Sequence, residues 1–369
     1  MGLAVGVAAT AALSVGLAVA IAERDRRAER ARRTRDRKLS LLPGEPPVQG
    51  LRRVLLGQLD LAIELLAAQN SSMPTAEAVH ETRKALKRLR TLVKLLEDEL
   101  GAQAAAREQA LLRDAGRRLA GARDAEVMVS TLEALLQRHP RKLAHRAGVS
   151  RLRGRLLAER EQATVRLLGD HAVRAQVLSD LRGARARMAA WTPAAREGIQ
   201  SLEPALKRLY GQGRRRHLRA SQGRRDRVAA MHRWRKSVKD LRYAAEALSR
   251  SDPAAESRTT AAAARVMARA GRRSSKRNAP DLIPKLARRA DRLGEMLGEE
   301  HDLVVLAERV RAEGHGCGRG TRRALLKLID RRRKRLRRRA LQDGARLYGR
   351  RPKQLLRRVR RAHALEARL

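Results

Sequence analysis

Apolar residues recur every three or four positions along most of the chain after residue 50. This spacing places them on one face of an α-helix. It predicts helices at 51–68, 75–100, 104–120, 124–137, 150–168, 199–210, 228–249, 285–297, 302–312 and 321–348. The chain has no Phe, two Trp and three Tyr, whereas strands favour aromatic and β-branched residues. The sequence therefore predicts an all-α fold, with breaks at Trp191 to Gly198 and Ser251 to Pro284.

An uncharged, mostly apolar stretch, Leu3 to Ala22, precedes this helical region and is followed by a dense basic run, Glu23 to Lys38. The stretch is long enough to cross a bilayer, and arginines after it would keep the rest of the chain in the cytoplasm. Residues 1–41 are therefore predicted to tether a cytoplasmic protein to the inner face of the membrane. The alternative is an Ala-rich leader, because Ala and Gly drive insertion weakly. Leu42 to Gln49, which holds three prolines and a glycine, is predicted to be a linker.

The net charge of the chain limits the kinds of partner that it is expected to bind. The chain carries 85 Lys and Arg against 39 Asp and Glu, a formal net charge of +46, so an anionic partner is expected. Proteins that read single-stranded nucleic acid usually stack its bases on aromatic rings, which are scarce here. These features favour a ligand recognised through its phosphates.

The cysteine content excludes other kinds of site. Cys317 is the only cysteine, so no internal disulfide can form and a reducing compartment is indicated. It has only His315 nearby as a second metal ligand, in the glycine-rich stretch Gly314 to Gly320. We interpret that stretch as a flexible loop, and we predict neither a metal site nor a cofactor.

Two pairs of segments resemble each other within the chain. Val79 to Leu96 (VHETRKALKRLRTLVKLL) matches Met231 to Leu248 (MHRWRKSVKDLRYAAEAL), 152 residues later. Leu119 to Met128 matches Leu297 to Leu306, with the spacing longer by 26 residues in the second half. One internal duplication explains both pairs. It divides a domain at 50–369 into halves at about 50–188 and 199–369, with an insertion at about 251–284.

Each copy of the first segment separates into an apolar and a basic face on a helical wheel. The predicted packing residues are Val79, Leu86, Leu89, Val93, Leu96 and Leu100 in the first copy, and Met231, Trp234, Val238, Leu241, Ala245 and Leu248 in the second. A basic face usually means solvent exposure. However, like charges three and four residues apart destabilise a helix, and we expect no acid to balance Arg83, Lys84 and Lys87 locally. An external polyanion would neutralise them.

The pattern His-x-x-Arg-Lys-x-x-Lys-x-Leu-Arg, present twice, resembles the CHAD family (conserved histidine α-helical domain) from about Val48 to the C-terminus. The resemblance implies two pseudo-symmetric four-helix bundles with a basic cavity between them that binds inorganic polyphosphate. It implies a binding module, not an enzyme. The chain itself lacks the ExExK signature that a fused triphosphate-tunnel domain would carry. The implied ligand-binding residues are His80, Arg83, Lys84, Lys87 and Arg90 in the first copy, and His232, Arg235, Lys236, Lys239 and Arg242 in the second.

Further residues are predicted around this set. Secondary binding is expected at Lys94, and at a weaker repeat that pairs Arg151 and Arg155 with Arg331 and Arg335. Asp240 stands where the first copy has Arg88, and His301 where it has Arg123, so the two halves need not bind alike. His80 and His232, surrounded by cations, are expected to be hard to protonate without a ligand. Asp124 and Asp302 are expected to be helix N-caps or partners of buried arginines.

We find no catalytic constellation in the sequence and expect a binding protein. Two alternatives to polyphosphate stay open at this stage: binding of nucleic-acid backbone through the basic surface, including Arg331 to Arg339, and association with an anionic membrane surface. A polyphosphate site requires the two motif helices to face each other across a cavity. Duplex binding requires a basic surface that fits a groove.

Overall fold

The computed structural model describes residues 39–67, 75–194, 198–223, 226–250, 282–313 and 316–366. Within these ranges the fold is all-α, as predicted, and the one extended contact is a bridge between Leu41 and Arg250. The helices are α1 (Pro47–Ala67), α2 (Thr75–Leu95), α3 (Glu97–Leu100), α4 (Ala102–Arg118), α5 (Gly121–Arg138), α6 (Pro140–Leu143), α7 (Ala147–Gly169), α8 (His171–Ala190), α9 (Glu203–Gln222), α10 (Arg227–Leu248), α11 (Leu282–Ala312), α12 (Arg319–Leu347) and α13 (Pro352–Glu366). A 3₁₀ turn at Ile199–Leu202 precedes α9.

Local sequence accounts for several helix starts. Proline is the first residue of α1, α6 and α13, where its missing N–H costs nothing and its fixed φ suits the helix. Asp170 caps α8, because its carboxylate accepts a hydrogen bond from the backbone N–H of Val173 at 3.0 Å. These signals set helix ends, and the apolar stripes decide how the helices pack.

The helices of the two halves pack in the same order. In the first half α1 contacts α2 and α8, and α4 also contacts α2 and α8. In the second half α9 contacts α10 and α13, and α11 also contacts α10 and α13. One continuous apolar core runs through both groups, with Trp234 and Tyr210 as its largest fully buried side chains. This equivalence supports the predicted internal duplication, which itself stays a prediction.

A second core lies where α5, α6 and α7 meet the C-terminal part of α11 and the start of α12. Leu132, Leu152, Leu306 and Leu325 are all buried in it. The backbone oxygen of Cys317 approaches α7 so closely that a Cβ atom on Gly148 would lie 1.9 Å from it. The described part of the predicted flexible loop is therefore packed, and the Cys317 side chain is fully buried, so that interpretation was wrong.

Other predicted boundaries also differ from the observed ones. The segments at 285–297 and 302–312 form one uninterrupted helix, α11, because the polar residues between them are accommodated inside the fold: Glu300 is buried against Arg333. Asp302 therefore lies within α11 and is not an N-cap. The helices α6, α8 and α13 were not predicted.

The N-terminal boundary of the fold differs too. The predicted linker contains the start of α1, and Leu41 just before it is fully buried, with its N–H donating to the Ser249 oxygen at 2.8 Å. The apolar and basic stretches up to residue 38, and residues 251–281 of the predicted insertion, lie outside the described residues. Among the helices that are described, none has both the length and the apolar character that a membrane crossing needs.

Candidate functional site: a basic cavity between the motif helices

The two helices that carry the repeated motif, α2 and α10, pack against each other. Thr91 of α2 donates to Asp240 of α10 at 3.3 Å, and the Arg88 guanidinium lies 5.9 Å from the centroid of the Tyr243 ring. Asp240 and Tyr243 are the residues equivalent to Arg88 and Thr91 in the repeat. Each helix therefore uses the same two positions to contact the other, which is the pattern of a two-fold arrangement.

The predicted faces of both helices are correct. All of the apolar residues expected to pack are buried, except Leu100, which is half-buried against the same core. The basic face is turned away from the core, and a part of it borders a cavity. Helical periodicity thus placed each side chain on the right face of its own helix.

An open cavity of about 830 Å³ lies between α2, α4, α9 and α10. Among the described residues, eleven basic side chains line it, against two acidic ones, Glu97 and Asp240. The basic residues are Lys87, Arg90, Lys94, Arg113, Arg117, Arg208, Arg215, Arg216, Arg235, Lys236 and Lys239. Such a concentration of cations in a concave, partly buried site raises the local positive potential and attracts anions.

A second cavity, of about 400 Å³, lies between α5, α10 and α11. Arg235 and Lys239 line both cavities and so stand at their common border. The smaller cavity has a mixed lining, because Glu295, Glu299 and Asp302 accompany its basic residues. The excess of positive charge therefore belongs to the larger cavity.

The cations at the border are poorly compensated. Burial lowers the pKa of Lys239 to about 7, helped by the neighbouring charges of Arg235 and Lys87 and opposed by that of Asp302. Burial also lowers the pKa of Arg235, whose Nε is buried without a hydrogen-bond partner among the described residues. The Nε of Arg90 is in the same condition. Buried donors without acceptors are costly, and a bound oxyanion would satisfy them.

A histidine pair extends this region. The rings of His232 and His301 lie 4.4 Å apart between centroids, and burial lowers the pKa of each to about 4. For His232 the charges of His301, Lys236 and Arg235 add to the effect of burial. The expectation that His232 is hard to protonate is confirmed, although burial contributes more than the surrounding cations.

Three predicted ligands are held by the protein itself. Arg83 donates to the Leu119 carbonyl oxygen at 2.8 Å and lies 3.6 Å from Asp124, and Lys84 pairs with Glu81 at 2.9 Å. Arg242 pairs with Glu246 and Asp291. The expectation that no local acid balances these cations was wrong for Lys84, whose partner Glu81 lies three residues away on α2, whereas the acid beside Arg83 comes from α5. Asp124, in the first turn of α5, is a partner of an arginine, which is one of the two roles expected for it.

The family model for the CHAD domain matches residues 57–272. The chain belongs to the CHAD family. A solved structure, the CHAD domain from the plant Ricinus communis, is similar at 18% identity with a TM-score of 0.46, covering 81% of this chain and 88% of that one. Curated proteins include no match.

In this CHAD protein the predicted motif residues divide into three sets, because Arg242 lines only the smaller cavity. Lys87, Arg90, Arg235, Lys236 and Lys239 line the larger cavity, and so does Lys94, which also pairs with Asp240 at 2.6 Å. His80 is half-buried on α2 and, like Arg83, Lys84 and His232, is not among the residues that line either cavity.

The other predicted secondary residues, on α7 and α12, belong to helices of the second core of the CHAD protein and line neither cavity. Arg151 donates to the Gly316 oxygen at 3.2 Å, and Arg155 pairs with the buried Glu313. Arg331 and Arg335 are exposed on α12. The structure does not bring these four residues together with the motif helices.

Sequence reasoning missed the cavity-lining residues on α4 and α9. Arg113 and Arg117 are four residues apart on α4, and Arg208, Gln212 and Arg215 follow a similar spacing on α9. The helical wheel that was applied to the motif helices would have shown these stripes. It would not have shown that they face the motif helices, which depends on packing between distant segments. Among the described residues, no three His, Cys, Asp or Glu side chains are arranged to hold a metal ion.

Proposed function

We propose that this CHAD protein binds inorganic polyphosphate in the larger cavity and performs no chemistry on it. The observation that carries the proposal is the convergence of both motif helices on one acid-poor cavity. Polyphosphate offers about one charge per unit and no base to stack on. Recognition then depends on charge density and on the donor geometry of Arg and Lys.

The buried cations at the border support this assignment. Burial lowers the pKa of both Lys239 and Arg235, opposed by the charge of Asp302, and the Nε atoms of Arg90 and Arg235 lack acceptors among the described residues. Each charge-assisted hydrogen bond to a phosphate oxygen is worth about 1.5–3 kcal/mol where water is excluded. A flexible chain of oxyanions can reach several such donors at once.

The test removes cavity charge without disturbing the structural arginines. A variant with Lys87, Arg90, Lys236 and Lys239 all changed to Gln should bind labelled polyphosphate at least ~100-fold more weakly at fixed salt, because it loses several charge-assisted bonds. Arg83 is left intact because it joins α2 to the Leu119 carbonyl. The matched control changes four exposed residues of α12, Arg331, Arg335, Arg338 and Arg339, to Gln. Equal losses in the two variants would refute a specific cavity site.

Nucleic-acid backbone binding is the competing outcome, supported by the exposed basic residues of α12. Duplex DNA is then added as a competitor. The proposal requires long-chain polyphosphate to displace DNA at equal charge concentration, and the α12 variant to lose more affinity for DNA than for polyphosphate. If DNA displaces polyphosphate from the unmodified protein, nucleic-acid binding is the better description.

A further inference from the structure

We propose that Lys239 is an acylation site, whose amine is modified by acyl phosphates that the cavity holds through their phosphate group. The inference rests on the proposed function in one respect, since the cavity must bind phosphate groups. It goes beyond that function because it assigns covalent chemistry to one lysine of the site.

The position of Lys239 is the first reason. It is half-buried at the border of two cavities, and it makes no hydrogen bond or ion pair with a described residue. The charged groups that act on its amine are Arg235 and Arg242 on its own helix, Lys87 on α2 and Asp302 on α11. Three of these four are cations. Asp240 also lines the larger cavity, and Arg138, Glu295 and Glu299 line the smaller one. A phosphate bound among the three cations would lie beside the amine.

The state of the amine is the second reason. Because burial and these cations lower the pKa of Lys239 to about 7, about half of it is neutral at pH 7, against roughly one in 2,500 for a lysine of ordinary pKa. A lysine that is desolvated beside other cations is a recognised activated nucleophile. No acid that would hold the proton on Lys239 is paired with it.

The reaction needs no further reagent. The neutral amine attacks the carbonyl carbon of the acyl phosphate, a C–N bond forms, and the C–O bond to phosphate breaks. Phosphate leaves with the electron pair, the nitrogen loses a proton to water, and the product is an amide. Acylation removes the charge of Lys239, so the modified protein should bind polyanions more weakly.

The experiment treats the full-length protein with acetyl phosphate at pH 7 and follows acetylation at each lysine by mass spectrometry. The internal control is Lys236, which lies on the same helix, lines the same larger cavity and is exposed. We expect Lys239 to react at least ~10-fold faster than Lys236, since the gain in neutral amine outweighs the loss of nucleophilicity. Equal rates, or a slower Lys239, would overturn the proposal.

Two further measurements separate phosphate recognition by the cavity from the reactivity of the Lys239 amine, and the acylation site from the proposed function. With an acetyl donor that lacks phosphate, N-hydroxysuccinimidyl acetate, the ratio of the Lys239 rate to the Lys236 rate should fall severalfold, and an unchanged ratio would refute phosphate recognition. Polyphosphate binding is measured on the same samples. If polyphosphate binds while Lys239 is unreactive, only the acylation site fails. If Lys239 reacts preferentially but polyphosphate does not bind, only the proposed function fails.

Discussion

Replacing Lys239 with methionine should stabilise the free protein while weakening its binding of polyphosphate. Lys239 is half-buried with its pKa lowered to about 7 by burial, Arg235 and Lys87. A lysine in the unfolded chain has a pKa near 10.4, so folding must either desolvate the charge or release the proton. Methionine has a similar length and fills the same space without that cost. Function and stability are therefore opposed at this residue.

The size of the gain follows from the two pKa values. A pKa difference of about 3.5 corresponds to a maximum penalty of about 4–5 kcal/mol at and below pH 7. Lys239 borders open cavities and keeps access to water, so we expect about half of this, a gain of ~2 kcal/mol for Lys239→Met. The folded state binds the proton less well than the unfolded state, so the penalty disappears as the pH rises toward 10. The gain should fall below about 0.5 kcal/mol there.

Urea unfolding of polyanion-free protein at low salt, at pH 7 and pH 10, measures both values. The control is Lys236→Met, whose exposed side chain should change the free energy of unfolding by less than about 0.5 kcal/mol. Polyphosphate affinity of the Lys239 variant should fall at least ~10-fold. If Lys239→Met destabilises the protein at pH 7, or if its effect does not depend on pH, the assignment of Lys239 as an uncompensated cation is wrong.

Three other predictions address the site and the packing. At pH 8, polyphosphate binding should take up close to one proton, because the ligand restores the charge of a lysine whose pKa is about 7. Titration calorimetry in buffers of different ionisation enthalpy should detect this uptake, and Lys239→Arg should abolish it. Asp240→Asn should cost about 1–2 kcal/mol of stability by removing the partner of Lys94, yet strengthen polyphosphate binding severalfold. Urea unfolding measures the stability and fluorescence anisotropy the affinity for polyphosphate. A change of both in the same direction would contradict this prediction. Gly344→Ala should cost about 1–3 kcal/mol of stability, since its Cβ would lie 2.5 Å from atoms of Trp234 and His217. By contrast Gly154→Ala, with nothing within 4 Å, should gain up to about 1 kcal/mol in thermal unfolding.

The motif helices were predictable because their apolar stripes are strong. Leu, Val, Met and Trp recur at helical spacing in both copies, and all of these side chains are buried or half-buried. The helices α8 and α13 were not predicted because arginines interrupt the pattern of apolar residues along them. Their buried stripes are short, such as Val177, Leu181, Ala184 and Met188 in α8. Alanine adds little to a hydrophobic pattern even where it packs fully.

The candidate site was predictable only in part, for a different reason. A helical wheel shows which face a cation occupies, but its partners come from other helices. Arg83 reaches the Leu119 carbonyl, and Arg187 of α8 is held by the buried Glu108 of α4 at 2.7 Å. Which arginines serve the fold and which remain for a ligand is decided by these distant contacts. A single sequence does not contain that information in readable form.

Acidic residues explain where the charge of this protein is available for binding. The chain has 85 basic residues and 39 acidic ones, so there are too few acids to pair with every cation. An acid that joins two helices is not available to neutralise cations elsewhere. Several acids are placed at such contacts, including Glu108 with Arg187 and Glu299 with Arg332. In the part of the chain that the structure describes, only two acids line the larger cavity. The net charge is therefore distributed by packing, and the cavity is one of the places where it is left uncompensated.

Asp240 shows why one of those two acids lies within the site. The two-fold contact between α2 and α10 brings position 240 beside Thr91 and Lys94. An arginine there, as at the equivalent Arg88, would face Lys94 and repel it at the point where the basic helices must touch. An acid at this position holds the helices together, and it lowers the positive potential of the cavity that they form. The departure of the second copy from the first is therefore a condition for packing the two basic helices closely enough to share one cavity.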